Sequence, residues 1–402
     1  MKIAIIGSKG IPARSGGIER HVEELAIRLA KRSFDVTVYT RPWYTGTRKL
    51  SHQGVRLVPL ASLQTKHFDA ITHTFLSTVH AMKEGADVYH YHGVGPALLA
   101  WMPRVFRPGS EVIVTFHCLD RRVRKWGRFA RTMLRAGEWA ATHFAHKTIV
   151  VSKTLAHYCR EVYDCRAAYI PNGVKVAKPS PKDVSVLNAL GLEKGRYVVM
   201  VSRLIRSKNA DKLIEAWKRL KRASTDLRTL GMKLVIVGDG QPTDAYVWEV
   251  RAKAAGTKDI VLAGARYGAE LNALVAHAAF GVHPSATEGL PMAVLEKMAH
   301  GKAVLASNIP EHLEIVEGRG FTYRLDDERD LMLQLHWMLT HPRQCAEMGR
   351  EAQKHVATYF NWDKIAKETG LVYNQLAPAK PLQKTARKAG LQMGHARRAA
   401  MG

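Results

Sequence analysis

The chain has 402 residues, 46% of them hydrophobic, and a formal net charge of +26. That length holds two domains of ordinary size, and the composition excludes a disordered or fibrous chain. The cleanest apolar run, Val94 to Met102, contains Gly95 and Pro96 and is too short to span a bilayer. Residues 1–175 hold 27 Lys/Arg against 12 Asp/Glu, and residues 378–402 hold six basic residues and no acid. Such a field attracts phosphate-rich surfaces, lipid or nucleic acid, and leaves the fold open. Cys118, Cys159, Cys165 and Cys345 form no Cys-x-x-Cys pair, so they read as reduced thiols without a metal role. The segment Lys2 to Gly7 is too short for a signal peptide and reads as a first strand, which points to a cytoplasmic protein.

Short β-branched runs alternate with helical stretches, the pattern of parallel sheets flanked by helices. In the first half they predict strands at Lys2 to Ile6, Asp35 to Tyr39, Val55 to Leu60, Asp87 to Tyr91, Glu111 to Phe116, Thr148 to Val151 and Ala168 to Ile170. After the first comes a glycine loop ending in Gly16-Gly17, then a helix with Ile18, Val22, Leu25 and Leu29 on one face. The loop lacks Gly-x-Gly-x-x-Gly and Gly-Lys-Ser/Thr, so it is neither a dinucleotide fingerprint nor a P-loop. Gly16 and Gly17 could still let a diphosphate or an acceptor approach the backbone. His90, His92 and His117 fall at the carboxyl ends of strands, where ligands of open parallel sheets bind. No carboxylate completes a metal set there, and His117 reads either as a contact to substrate or as a hydrogen-bonded histidine.

Residues 121–135 follow, with Arg124, Arg128, Arg131 and Arg135 on one helical face and Trp126, Phe129 and Met133 off it. This is an interfacial membrane helix or a solvated basic face. Pro171-Asn172-Gly173 is a turn, and the stretch to Pro181 is a linker. The boundary drawn here gives domains over 1–174 and 175–362, a last helix over 363–376 and a basic tail, disordered or surface-binding, over 377–402.

The second half restarts the scheme with strands at Tyr197 to Val201, Lys233 to Val237, Asp259 to Leu262, Phe280 to His283 and Ala303 to Ala306. Arg203 and Lys208 follow the first of these, facing the linker, where they could meet the phosphates of a ligand between domains. Gly264 ends the third, a place for backbone contacts to a base. After the fourth, Glu288-Gly289-Leu290-Pro291-Met292 opens a helix with Pro291 at its first position and Gly301 as its stop. The N–H groups of Gly289, Leu290 and Met292 favour an anion there. Glu288 and Glu296 beside such a site either serve another part of the ligand, such as sugar hydroxyls, or belong to the helix alone.

The segments Gly16-Gly-Ile-Glu-Arg-His21, Pro171-Asn-Gly-Val174, Ser202-Arg203-Leu204 with Lys208, and Pro284-Ser-x-x-Glu288-Gly-x-Pro291-x-x-x-Leu295-Glu296 stand in order. Together they resemble the family-4 retaining glycosyltransferases of the GT-B fold, over about residues 1–376. The resemblance implies two facing Rossmann-like α/β domains with a nucleotide sugar, UDP- or GDP-linked, in the cleft between them. It gives Arg203 and Lys208 the donor diphosphate, helped by backbone N–H groups at Gly17, Leu290 and Met292. Glu288 would contact sugar hydroxyls, Glu296 the ribose, and His117 the donor near its anomeric carbon. The family mechanism is front-face departure of the nucleotide, whose own oxygen takes the acceptor proton, so no metal or cofactor is expected.

The basic N-terminal half suggests a lipid-linked or polysaccharide acceptor at an anionic membrane surface, in cell-surface glycan or lipopolysaccharide assembly on the inner face of the plasma membrane. Two other readings are a sugar-nucleotide epimerase of the same fold and a nucleic-acid-binding protein. The second lacks stacking aromatics and a helix-turn-helix signature. Asn209 stands where the family has glycine, and His277-Ala-Ala-Phe280 where it has an Ala-Asp pair. These departures bear on base selectivity.

Overall fold

A computed structural model describes the chain apart from residues 15, 47–48, 66–67, 123–126, 176–183, 225–230, 241–243 and 377–402. The expected linker beyond Lys175, positions Arg124 and Trp126, and the basic tail lie outside the described residues.

The first half forms an eight-stranded sheet from β1 (Lys2–Ile6), β2 (Asp35–Thr40), β3 (Ser51–His52), β4 (Val55–Pro59), β5 (Val88–His92), β6 (Glu111–Phe116), β7 (Lys147–Val150) and β8 (Ala168–Tyr169). Their order is β3-β4-β2-β1-β5-β6-β7-β8. All described pairings are parallel except β3 with β4. The second half forms a six-stranded sheet from β9 (Tyr197–Val201), β10 (Lys233–Val237), β11 (Ile260–Gly264), β12 (Phe280–His283), β13 (Val304–Ser307) and β14 (Phe321–Tyr323), ordered β11-β10-β9-β12-β13-β14 and parallel throughout. Strand order reverses beside β1 in one sheet and beside β9 in the other, so each leaves a crevice at its strand carboxyl ends. The expected strands all form. The sequence reading missed β3 and β14, of two and three residues at sheet edges.

The apolar runs form strands because both faces are covered, as parallel sheets require. Val198, Met200, Leu234 and Ile236 belong to one core with Leu213, Ile214 and Trp217 from helix Ala210–Ala223. In the first sheet Ile3, Ile5, Val36 and Val38 pack with Val22, Leu25 and Leu29 of helix Gly17–Lys31. Trp362, Ile365, Ala366 and Tyr373 complete that core. They come from the last helix, Trp362–Leu376, which begins one residue before its expected start. The chain therefore passes between the halves twice, and Val174 and Asn361 pair there as a parallel bridge. A third cluster joins the halves, with Val94, Phe116, Leu119 and Val150 against Leu290, Val294, Leu295 and Ile315. Each such buried aliphatic side chain contributes roughly 1.5–3 kcal/mol, so the crevices are held face to face by apolar packing beneath them.

Candidate active site

Two loops of the second half meet at the crevice. One follows β9 and carries Arg203, a single 3-10 turn at Arg206–Lys208, and Asn209. The other follows β12 and runs through Glu288 to the helix Met292–Ala299. Asn209 has φ +52°, a left-handed backbone that glycine adopts freely and asparagine tolerates better than most residues. Its side-chain amide donates to the Pro284 carbonyl at 2.9 Å, and the Ala286 N–H donates to the Ser207 carbonyl at 2.8 Å. The departure from glycine thus keeps the backbone shape and adds a tie between the two loops.

That tie brings Lys208 into an ion pair with Glu288. The His283 Nε2–H donates to the same carboxylate at 2.7 Å. Burial opposes ionisation of Glu288, but the Lys208 charge and the His283 hydrogen bond outweigh it and hold the carboxyl well below its usual range. The group is an anion with fixed orientation. Pro291 is the residue before the helix, with extended ψ of 95°, where the sequence reading made it the first helical residue. Val294, Leu295 and Met298 are buried as expected.

From the first half, His117 follows β6 and lies opposite. A Cβ built on Gly289 would stand 1.9 Å from the His117 carbonyl oxygen and 3.0 Å from the Cys118 Cβ. Only glycine permits this approach, and it makes the Glu288 loop and the His117 loop one surface. His117 Nε2 lies 3.1 Å from His92 Nδ1. The His21 ring stands edge-on to His117 at 4.9 Å, and its Nδ1–H donates to the Asn172 side-chain oxygen at 2.8 Å. Burial holds His117 and His92 well below the usual imidazole value and lowers His21 to about 4, so all three are neutral at pH 7. The grouping of His90, His92 and His117 is corrected here. His90 is engaged elsewhere, by the Tyr373 hydroxyl at 2.6 Å and the Thr115 hydroxyl at 2.7 Å, and His21 takes its place. His21 stood in the Gly16-to-His21 motif without a role, because nothing in the helical pattern shows that its ring reaches His117.

Glu296 is one-fifth exposed and paired with Arg20 from the first helix of the other half. Beside it, Lys297 is fully buried, a residue the helical pattern did not single out. Its Nζ donates to the Ala293 carbonyl at 3.1 Å, and its stem fills the space over Gly281, where a Cβ would lie 2.1 Å from Lys297 Cδ. Burial lowers it to about 8, with Glu296 and then Glu288 opposing the shift. Arg203 is exposed and forms no ion pair among the described residues. Gly16, with φ +103°, precedes the helix that begins at Gly17. Gly264 ends β11, two strands from β9, so it lies roughly 10 Å across the sheet from the end of that strand.

Residues 15–178 match the family described as Glycosyltransferase Family 4, and residues 195–341 match the one described as Glycosyl transferases group 1. The chain belongs to the family-4 glycosyltransferases. The glycogen synthase of Mycobacterium tuberculosis is 25% identical over 93% of this chain and 94% of its own length. Sucrose-phosphate synthase of Thermosynechococcus elongatus superposes with a TM-score of 0.77 at 22% identity, over 93% of this chain and 98% of that one. Anabaena HepE in complex with UDP-glucose superposes with a TM-score of 0.76 at 19% identity, covering 94% and 100%. The two sheets facing across a crevice are the GT-B fold of these glycosyltransferases.

Proposed function

We propose that this glycosyltransferase is metal-independent and retaining, and that it moves a sugar from a UDP- or GDP-linked donor to a lipid-linked or polysaccharide acceptor of a cell-surface glycan. The observation that carries the reading is the Lys208, Glu288 and His283 constellation standing across Gly289 from His117. Lys208 and Arg203 neutralise the diphosphate, and the N–H groups of Gly289, Leu290 and Met292 supply further donors at a helix N-terminus. Glu288, held ionised, accepts from sugar hydroxyls and takes no proton at neutral pH. His117, held neutral, polarises the sugar without adding a like charge near the anomeric carbon. As the glycosyl bond breaks, negative charge grows on the leaving diphosphate, where the two cations gain most in a dry crevice. Gly16 and Gly17 border the same crevice for diphosphate or acceptor, Glu296 serves the ribose, and Gly264 offers backbone contacts to the base.

A membrane-side acceptor is supported by helix Arg128–His143, where Arg128, Arg131, Arg135, Phe129, Met133 and Trp139 are exposed. Its inner end is anchored by the buried Glu138, which accepts from Arg121 Nε at 3.1 Å and from the Tyr158 and Tyr163 hydroxyls at 2.8 and 2.9 Å. Basic and apolar side chains on one rigid helix suit the anionic lipid interface of the inner membrane face. Flotation with vesicles is expected to require anionic lipid.

Thermal shift against a panel of UDP- and GDP-sugars tests the donor assignment, since a bound ligand raises the midpoint by mass action. One donor series is expected to stabilise the wild type and not Lys208→Ala. No shift with any nucleotide sugar would remove the assignment. Turnover is expected to survive exhaustive EDTA treatment.

A further inference from the structure

We propose that His21, His92 and His117 form a binding site for a divalent transition-metal ion that prefers imidazole ligands, typified by Zn²⁺, at the wall of the crevice. The three rings come from separate elements: helix Gly17–Lys31, the end of β5 and the loop after β6. Each offers one nitrogen, and these nitrogens all lie within 4.8 Å of one another. His92 Nδ1 and His117 Nε2 stand 3.1 Å apart. Two nitrogens on one tetrahedral zinc, each at about 2.05 Å, are separated by about 3.3 Å, so that pair needs to move by only a few tenths of an ångström.

Three further features suit a metal. The rings are neutral because they are buried, and neutral imidazole is the ligating form. The His21 Nδ1–H is spent on Asn172 Oδ1, which leaves Nε2 as a lone pair and is the outer-shell arrangement that orients ligating histidines. His92 Nε2 is buried without a hydrogen-bond partner among the described residues. A pair of neutral rings sharing one proton leaves that nitrogen unsatisfied in either tautomer, so ligation through Nδ1, which keeps the ring proton on Nε2, adds no further unsatisfied group. The other cluster of this kind, His283, Glu288 and His312, has Lys208 and Lys297 among its electrostatic neighbours. Those ammonium groups repel a cation. Around His21, His92 and His117 the charge neighbours are only other histidines.

An ion held there occupies His117, which the proposed function assigns to the donor sugar. On that reading Zn²⁺ is a competitive inhibitor and plays no part in turnover, so tolerance of EDTA and inhibition by added Zn²⁺ belong to the same molecule.

The test uses the untagged full chain. Isothermal titration with ZnCl₂ is expected to show one equivalent bound, lost in His21→Gln and His92→Gln and weakened roughly 10- to 100-fold in Asn172→Ala. Binding that is absent in the wild type, or unchanged in the histidine variants, overturns the site. Should those variants not fold, Co²⁺ spectra of the wild type decide. Ligand-field bands without thiolate charge transfer support a nitrogen site, and a thiolate band places the ion on a cysteine and overturns it. Donor kinetics separate the two readings. Zn²⁺ that binds as described and leaves the donor KM unchanged overturns the placement against the sugar and leaves the metal site standing. Zn²⁺ that raises the donor KM in the wild type and not in His92→Gln supports both.

Discussion

Gly289→Ala tests the closeness of the two halves at the site. The added Cβ would meet the His117 carbonyl oxygen at 1.9 Å. That oxygen is backbone and cannot rotate away. The φ of Gly289 is not in the left-handed region, so the substitution adds a steric demand without backbone strain. Relief requires the Glu288 loop and the His117 loop to part by roughly 1.5–2 Å, which restores ordinary van der Waals separation. Overpacking of this kind costs about 1–3 kcal/mol of stability. A misplacement of about 1 Å at reacting groups costs about 100-fold in rate, equivalent to about 2.7 kcal/mol in the barrier. The assay is release of nucleoside diphosphate at varied donor, with a thermal melt alongside. A kcat/KM within about threefold of wild type, in a folded variant, would refute the argument that this contact sets the geometry of transfer.

Lys208→Ala is expected to abolish transfer and to lower stability by about 3 kcal/mol, because Glu288 is left buried without its cation. Arg203→Ala is expected to give the same loss of transfer with a stability change within about 0.5 kcal/mol, since Arg203 is exposed and unpaired among the described residues; full activity in either variant contradicts the diphosphate assignment. Arg20→Ala frees Glu296 from a partly exposed pair worth about 0.2–1 kcal/mol, so nucleotide affinity should rise by up to about fivefold; weaker binding would show that Arg20 itself holds the ligand. Acid should destabilise the fold. Burial lowers His73 and His312 to about 4 and His283 to about 3, below the value of about 6.5 in the unfolded chain. The unfolded state therefore binds more protons below pH ~6.5, and stability falls as pH drops from there toward ~4, by up to about 2 kcal/mol per histidine at pH 5. Thermal midpoints across pH 7.5 to 5 check this, with a shallower slope expected for His312→Gln; a flat profile would contradict it.

The strands were legible because buried parallel strands are continuous β-branched runs, as in Tyr197-Val-Val-Met-Val201. Edge strands β3 and β14 were not, because two or three residues carry no period. The Glu288 loop, Arg203 and Lys208 could be read from ordered motifs, but their partners could not. Nothing local shows that Arg20 would take Glu296 or that His21 would stand against His117, since each contact joins elements brought together only by the tertiary fold; His283 reaches Glu288 within one loop, but no periodic pattern marks that turn. Lys297 left one overlooked trace. Gly281 interrupts the apolar strand Phe280–His283, and a glycine inside a buried strand marks close approach by a neighbour. Here the neighbour is the lysine stem.

The last helix also bears on how the molecule is made. Trp362 covers Gly173, and Tyr373 closes on His90, inside the core of the half that is synthesised first. Domains ordinarily fold in turn as a chain leaves the ribosome, yet this half lacks part of its interior until residue 376 has emerged. The first sheet must wait, incompletely sealed, while the whole second half is translated and folds. Truncations that reach helix Trp362–Leu376 would accordingly be felt at the beginning of the protein, in the stability of the half that holds His21, His92 and His117.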